Sequence, residues 1–343
     1  MKRFICQCGQ ETFFQNTHCN ACGVELGFSP SKQTVLALSE HEKDPQWLRY
    51  DGLANAYRVC QHRDHAIQCN WLIDIESDSD QEHVQCISCR TTRTIPMLDK
   101  PDNLRRWTIM ESNKRRMIFG LLDMGLSITG YTEDQGHGLA FDFLEDQRTN
   151  SSIYEEHILS GHAKGVITIN VAEADGSYRE ATREAMNESF RSLLGHFRHE
   201  IGHYYWERLI PNSMDYTNFQ QLFGDETQDY RTALDEYYLN GPIDDWQANY
   251  ISAYASMHPL EDWAETWSHY MLMRETIETA FNYQICPKLT PYSDFDIWMS
   301  EWMQLAVVLN ALSRSIGNAD AYPFIISETV NTKLKFIHHL VNG

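Results

Sequence analysis

The stretch FRHEIGHYYW, residues 197–206, contains two histidines four positions apart in a helix-forming sequence, which is the spacing of a possible metal site. At 3.6 residues per turn, His199 and His203 project from one face of such a helix, so two imidazole nitrogens can reach one metal ion. Glu200 is rotated off that face. The pattern also fits a polar stripe on an ordinary helix, and a further ligand on a separate helix is needed to decide.

Candidates for that further ligand follow in AYASMHPLEDWAETWSHY, residues 253–270, where Pro259 and two acids mark the first turn of another helix. Glu261 and Glu265 are four residues apart on one face, which fits a ligand carboxylate followed by a carboxylate that orients a ligand histidine. Acids are also common in first turns because the helix macrodipole favours them. The rival third ligands are Asp262, Glu265 and His269.

Eight of the nine cysteines fall before residue 90 in two clusters, which indicates metal binding rather than disulfides in a chain without an export signal. In the first cluster, CQCG and CNACG each end in a glycine that lets the backbone turn tightly beside thiolate ligands. The second cluster has one tight pair, CISC, and leaves His62, His65 or His83 open as a replacement for one sulfur. The predicted structural zinc sites are Cys6, Cys8, Cys19 and Cys22, and Cys60, Cys69, Cys86 and Cys89.

The excess of acidic over basic residues restricts which kinds of partner the protein can bind. With 28 Lys and Arg against 48 Asp and Glu, the net charge of -20 argues against a surface that wraps nucleic acid. One basic cluster, residues 105–116, interrupts this acidity, and we expect a solvated helix face there rather than a nucleic-acid surface. There is no run of about eighteen apolar residues and no apolar segment after the first basic residues. We therefore expect a cytoplasmic protein without membrane partners.

A change in composition near residue 98 marks the expected domain boundary. Pro96 and Pro101 interrupt any continuing element, and a helical pattern begins at Leu104. Strands are predicted at GLAFDFL (138–144) and GVITINVA (165–172). The predicted helices span residues 104–125, 177–209, 226–240, 259–283, 292–315 and 322–341.

Few strands followed by many helices predict an α+β fold rather than alternating βαβ units. We expect a small cysteine domain at residues 1–98 and a mainly helical domain at residues 99–343.

HEIGH together with YASMHPLEDWAE resembles the gluzincin metallopeptidases, and within them the lethal-factor-like and Mlc-titration-factor-like groups. In these groups a tyrosine lies seven residues before the ligand glutamate, as Tyr254 lies before Glu261. The resemblance implies that Glu261 completes the zinc site, that Tyr254 hydrogen-bonds the substrate carbonyl or oxyanion, and that Glu265 supports a ligand. The residues after HEIGH lack the HxxGxxH continuation of the metzincins.

Over nearly all of its length the chain resembles bacterial zinc-binding metallopeptidases that carry an amino-terminal zinc-ribbon domain. The motifs that carry this resemblance are, in order, CQCG, CNACG, CNW, CISCR, RTIP, GVITIN and GHFRHEIGHYYW. The resemblance implies a β-rich tandem zinc-ribbon domain followed by a mainly helical, gluzincin-like domain with a short β-sheet. It implies no substrate.

Taken together, these residues predict a zinc metallopeptidase with one catalytic and two structural zinc ions. Zinc held by His199, His203 and Glu261 keeps a fourth position for water and lowers the pKa of that water towards about 7. Glu200 is the expected general base, and Tyr254 the expected donor to the oxyanion. The expected partner is a protein or peptide substrate.

Two other classes of function stay open. A catalytically inactive zinc-binding adaptor is expected to have lost Glu200, a ligand or the tyrosine, and the sequence retains all of them. A nucleic-acid-binding protein needs basic and stacking residues in the cysteine region, but residues 60–89 are rich in Asp and Glu.

Overall fold

The computed structural model describes residues 2–41, 44–50, 56–75, 83–155, 157–186, 191–287, 289 and 294–342. The strands are β1 (Phe4–Ile5), β2 (Glu11–Thr12), β3 (Glu25–Ser29), β4 (Thr34–His41), β5 (Asp44–Tyr50), β6 (Ala56–Val59), β7 (Leu72–Asp74), β8 (Thr92–Thr94), β9 (Ala140–Leu144), β10 (Gly161–Ala163) and β11 (Val166–Asn170). The helices are α1 (Ile87–Arg90), α2 (Asn103–Asp123), α3 (Gly176–Ala185), α4 (Leu193–Leu209), α5 (Tyr216–Phe223), α6 (Tyr230–Asn240), α7 (Pro259–Asn282), α8 (Phe295–Ser315) and α9 (Glu328–Asn342). A β-rich region with the cysteine clusters precedes a mainly helical part, which confirms the predicted α+β class.

The chain divides into two compact units. The first contains residues 1–161 and 165–176, and the second contains residues 162–164 and 177–343. These units do not coincide with the domains expected from the sequence, because α2 packs with the first unit although it follows residue 98. The predicted boundary at residues 98 and 99 stays a prediction. Among the described helices, none is both long and apolar enough to cross a membrane.

The first unit is built on an antiparallel sheet in which β3 to β7 follow one another in order. Its apolar core includes the buried side chains of Leu36, Leu38 and Tyr57. A bridge between Phe28 and Trp71 brings the two end strands together. The close approach of these ends requires Gly27, because a Cβ atom there would lie 2.5 Å from a methyl carbon of the Leu72 side chain.

Aromatic side chains attach α2 to this sheet. The ring of Phe119 on α2 lies 4.9 Å from that of Phe14 and 5.5 Å from that of Phe28, measured between centroids. Trp71 lies 4.8 Å from Phe28. Each of these four side chains is buried, and burial of aromatic area contributes strongly to core stability. This packing explains why the start of the helical sequence belongs to the first unit.

Several basic residues of α2 form ion pairs within the first unit. Arg106 pairs with Asp175 at 2.8 Å, and Arg105 contacts the same carboxylate. Lys114 is fully buried and pairs with Glu111 at 3.0 Å. The expectation of a solvated basic face is therefore wrong for Lys114, because its charge is neutralised inside the unit.

A second, small sheet in the first unit is parallel. Strand β9 pairs with both β8 and β11, each in the parallel direction. Ile167 and Ile169 on β11 are fully buried, as are Phe141 and Phe143 on β9. The two strands predicted from the sequence are thus present, with bounds shorter by two or three residues.

The second unit is helical, and one of its predicted helices is divided. The single helix predicted for residues 177–209 is wrong, because α3 and α4 are separate and residues 187–190 lie outside the described part. Ser192 has an extended backbone and its hydroxyl accepts a hydrogen bond from the Gly195 N–H, so a new helix begins there. The sequence prediction also missed α5, a short helix between α4 and α6.

The centre of the second unit is the contact between α4 and α7. Gly202 allows the two helices to approach closely, since a Cβ atom there would lie 3.1 Å from the Cα atom of Ala264. The indole N–H of Trp263 donates a hydrogen bond to the Gly202 carbonyl at 2.8 Å. Tyr205 and Trp267 stack with ring centroids 5.3 Å apart. This packing fixes the first turn of α7 beside the middle of α4.

Candidate functional site

The first cysteine cluster contains the four residues predicted from the sequence. The sulfurs of Cys6 and Cys22 are 3.7 Å apart, and so are those of Cys8 and Cys19. These separations exceed the S–S bond length of about 2.05 Å, and all four thiols are free. Backbone N–H groups of Cys22 and Ala21 lower the pKa of Cys19 to about 6, whereas burial raises the pKa of Cys6 to about 12.

The second cluster is formed by four cysteines, all of them buried: Cys60, Cys69, Cys86 and Cys89. The sulfur of Cys69 lies 3.6 Å from those of both Cys86 and Cys89. The Cys86 N–H points at the Cys60 sulfur at 3.5 Å. His62, His65 and His83, which the sequence left open as ligands, are not among the four converging residues. His62 packs edge-on against His65 and hydrogen-bonds Cys60.

The pKa shifts in the second cluster show that its four thiols interact strongly with one another. Hydrogen bonding from Cys69 lowers the pKa of Cys60, while burial raises that of Cys86 well above its usual range. Four adjacent thiols cannot all be ionised without a cation, and four converging sulfurs are the donor set of structural zinc sites. The residues present therefore fit zinc at both clusters.

On α4, His199 and His203 project from one face as their spacing predicts. Their Nε2 atoms are 3.3 Å apart. The side chains are 12% and 15% exposed, so the pair is accessible from solvent. The ring of His162 stacks on His203 at 6.4 Å. Sequence reasoning missed His162, because it lies on β10, far from the HEIGH motif in the chain.

Glu261, in the first turn of α7, faces the histidine pair. Its two carboxylate oxygens lie 3.0 Å from the Nε2 atom of His199 and 3.4 Å from that of His203. The helix begins at Pro259 after His258, whose Nδ1 accepts a hydrogen bond from the Leu260 N–H. Burial by itself raises the pKa of Glu261, but the charge of His203 and hydrogen bonds from both histidines lower it well below its usual range.

Two of the alternative third ligands, Asp262 and His269, contact residues outside the histidine pair. Asp262 forms a buried ion pair with Lys333 of α9 at 2.6 Å. His269 shares a hydrogen bond with the hydroxyl of Tyr322 at 2.8 Å. The structure thus brings Glu261 to the histidines, and neither Asp262 nor His269.

Glu265 supports the site through His199. One of its oxygens lies 2.7 Å from Nδ1 of His199, and the other accepts a hydrogen bond from the Ser252 hydroxyl at 2.6 Å. A carboxylate on Nδ1 fixes the ring orientation and directs Nε2 at Glu261, the arrangement in which ligand histidines are held. Burial opposes ionisation, but the hydrogen bond with His199 lowers the pKa of Glu265 to about 2.

Glu200 is buried beside the histidine pair without joining it. Its Oε1 atom lies 3.2 Å from Nε2 of His196. Its Oε2 atom is buried and has no hydrogen-bond partner among the described residues. Burial raises the pKa of Glu200, but the hydrogen bond from His196 and the charge of His199 outweigh it and lower the pKa. An unsatisfied buried carboxylate oxygen indicates that a polar ligand belongs here.

Tyr254 and Tyr230 form a hydrogen-bonded pair of hydroxyls next to Glu261. The Tyr254 ring lies 6.2 Å from that of His199. The Tyr230 hydroxyl donates a hydrogen bond to Glu261 Oε1 at 2.9 Å. Because the Tyr230 proton is used in this way, Tyr254 is the donor between the two hydroxyls. Sequence reasoning identified Tyr254 and missed Tyr230, which lies 31 residues before Glu261 at no helical spacing from it.

The ligand atoms of His199, His203 and Glu261 lie within 4.8 Å of one another. Two imidazoles and one carboxylate that leave a fourth position are the donor set of catalytic zinc sites in several hydrolases. Together with the unsatisfied Glu200 oxygen, this donor set fits a zinc ion.

Comparisons with known proteins agree with this chemistry. Residues 103–340 match a family described as "Putative zinc-binding metallo-peptidase", and residues 3–100 match a zinc-ribbon domain. Uncharacterized proteins from Mycobacterium bovis and from two strains of Mycobacterium tuberculosis are each 39% identical over 351 aligned residues, which cover 100% of this chain and 96% of each relative. No solved structure gives a significant match.

These comparisons confirm the predicted metallopeptidase family with an amino-terminal zinc ribbon, and the gluzincin subtype stays a prediction. The family descriptions and the two four-cysteine clusters support zinc binding. Since the first match covers more than half of the chain and the relatives align over its full length, the chain belongs to the family described as "Putative zinc-binding metallo-peptidase" and carries an N-terminal zinc-ribbon domain.

Proposed function

We propose that the chain is a zinc-dependent metallopeptidase of the gluzincin type that hydrolyses peptide bonds of a protein or peptide. The observation that carries this proposal is the convergence of His199, His203 and Glu261, with a buried, unsatisfied oxygen of Glu200 beside them. A zinc ion bound by these three residues would supply Lewis acidity and make water a nucleophile near neutral pH. We further propose two structural zinc ions in the cysteine clusters.

The roles of the protein groups follow from their positions. Glu200 Oε2 accepts the proton of the attacking water while the water oxygen bonds to the carbonyl carbon. The same carboxyl then delivers that proton to the amide nitrogen as the C–N bond breaks. His196 holds the other Glu200 oxygen, so Oε2 remains available for this transfer.

Tyr254 supplies the donor for the negative charge that develops on the carbonyl oxygen. In the absence of substrate its hydroxyl donates to Tyr230, and the proposed role requires that it turn to the carbonyl oxygen when substrate binds. Its ring lies 6.2 Å from that of His199. Burial raises the pKa of Tyr254 well above its usual range, so the hydroxyl retains its proton at neutral pH. A positioned neutral donor of this kind stabilises an oxyanion by about 3 to 4 kcal/mol.

The direct test of this proposal is Glu200→Gln. The substitution keeps the size of the side chain and leaves the three ligands intact, so zinc content should equal that of the parent while hydrolysis is lost. Activity would be measured as new peptide termini produced from a complex mixture of denatured proteins, with detection by mass spectrometry. Glu207→Gln, the same change at an exposed position of α4, is the matched control and should cleave as the parent does.

Two outcomes would contradict the proposal. Equal cleavage by Glu200→Gln and the parent would exclude Glu200 as the base. A zinc-loaded parent that produces no new termini would leave the inactive zinc-binding adaptor as the better description.

A further inference from the structure

Tyr230 makes a contact that the proposed reaction does not use. Its hydroxyl donates to the Glu261 oxygen that lies nearer His203, whereas the other Glu261 oxygen lies nearer His199. Glu261 is 2% exposed and Tyr230 is 40% exposed. The hydrogen bond therefore connects a buried ligand carboxylate to a residue at the surface of the second unit.

Tyr230 is also the first residue of α6, a helix of 11 residues none of which is buried. The helix contacts the site through two aromatic rings. Tyr230 packs edge-on against His258 at 5.2 Å, and Tyr237 packs edge-on against Tyr254 at 5.8 Å. An isolated helix of this length is marginal in water, so its position depends on such contacts.

Given the zinc site of the proposed function, on which this inference rests, we propose that Tyr230 is a positioning residue for Glu261. Through it, zinc binding and the docking of α6 stabilise each other.

The physical basis is orientation of the ligand carboxylate. A carboxylate that is hydrogen-bonded through one oxygen loses less freedom when the other oxygen binds a metal ion. Loss of such an outer hydrogen bond lowers metal affinity by about 10- to 100-fold. Because coupling between two equilibria is reciprocal, zinc must stabilise docked α6 by the same factor by which docked α6 strengthens zinc binding.

The test compares Tyr230→Phe with Tyr238→Phe in the full-length chain. The first change removes the hydroxyl that bonds Glu261 and keeps the ring against His258. The second is the matched control, since it removes a hydroxyl from the same helix at a residue that is 61% exposed. Zinc affinity at the histidine site would be measured by competition with a chelator, with the cysteine-bound zinc as the internal reference.

Tyr230→Phe should bind zinc at the histidine site about 10- to 100-fold more weakly than the parent, and Tyr238→Phe should not. A second readout is amide hydrogen exchange. Removing this zinc from the parent should speed exchange in residues 230–240, and this acceleration should shrink in Tyr230→Phe.

Equal zinc affinities in the two variants would overturn the inference. A loss of cysteine-bound zinc that parallels the loss at the histidine site would also overturn it, because the effect would then be a general loosening of the chain. Failure of the proposed function looks different: Glu261→Ala would retain the zinc at the histidine site, whatever Tyr230→Phe does.

Discussion

The second cysteine cluster and the histidine–glutamate cluster differ in the number of ligand residues that they offer to a metal ion and in the exposure of those residues. The cysteine cluster brings four sulfurs together, each on a residue no more than 2% exposed. The other cluster brings three ligand residues together, and the side chains of His199 and His203 are 12% and 15% exposed. A closed set of four donors satisfies a zinc ion and stabilises the fold, whereas three donors leave a position for chemistry. Under the proposed function, the cysteine cluster therefore contributes stability and the histidine–glutamate cluster contributes reactivity.

The largest expected effect is on the cysteine side of this comparison. Cys69→Ser should remove one zinc ion and lower the free energy of unfolding by more than about 4 kcal/mol, since loss of a structural metal is among the most destabilising changes. Thermal unfolding and elemental analysis check both parts. Cys286→Ser, which alters a cysteine outside the two clusters, should leave the zinc content unchanged. An unaltered unfolding temperature in Cys69→Ser would contradict a structural role for this cluster.

An intermediate effect is expected at the reactive site. Tyr254→Phe should lower kcat by about 10²- to 10³-fold, as expected for the loss of one oxyanion donor, with unchanged zinc content and thermal stability. Steady-state kinetics on a cleaved peptide measure it. If kcat stays at the parent value, Tyr254 is not the donor to the oxyanion, and its seven-residue spacing from Glu261 does not identify a catalytic residue.

A smaller effect concerns pH. In the zinc-free protein, burial by itself lowers the pKa of His199, but hydrogen bonds with Glu261 and Glu265 raise it well above its usual range. A doubly protonated imidazole has no lone pair for zinc, so one proton must leave before the metal binds. Zinc affinity at this site should therefore rise by at least about tenfold per pH unit below that raised pKa and become flat above it.

Chelator competition at several pH values checks this slope. Glu265→Gln removes one of the two carboxylates, so the slope should end at a lower pH than in the parent. The same slope and end point in both proteins would contradict the role given to Glu265.

The sequence predicted those parts of the site that depend on local geometry. His199 and His203 share a face because four residues make about one helical turn. Pro259 marks where α7 begins and so places Glu261 in its first turn, but the resemblance to gluzincins was needed to prefer Glu261 over Asp262. The closely spaced cysteine pairs were equally predictable, since their spacing fixes a tight turn, whereas Cys60 and Cys69 are separated by eight residues and left the fourth ligand of their cluster open.

The remaining parts depend on packing between distant segments. Tyr230 reaches Glu261 only because α6 docks beside α7, and His162 reaches His203 from a strand. The division between α3 and α4 was missed because the helical periodicity of the sequence continues through Ser192. In the structure the backbone of Ser192 is extended, so the helix cannot continue through it. Tertiary contacts of this kind leave no period in the sequence.

The zinc content of three proteins tests the central claim most directly. Elemental analysis of the parent, Glu200→Gln and Glu261→Ala should give three, three and two zinc ions per chain, because Glu261 is a ligand and Glu200 is a base. Only Glu261→Ala should lose an ion, and both variants should lose hydrolysis. One zinc ion or fewer in the parent, or three in an active Glu261→Ala protein, would contradict the account.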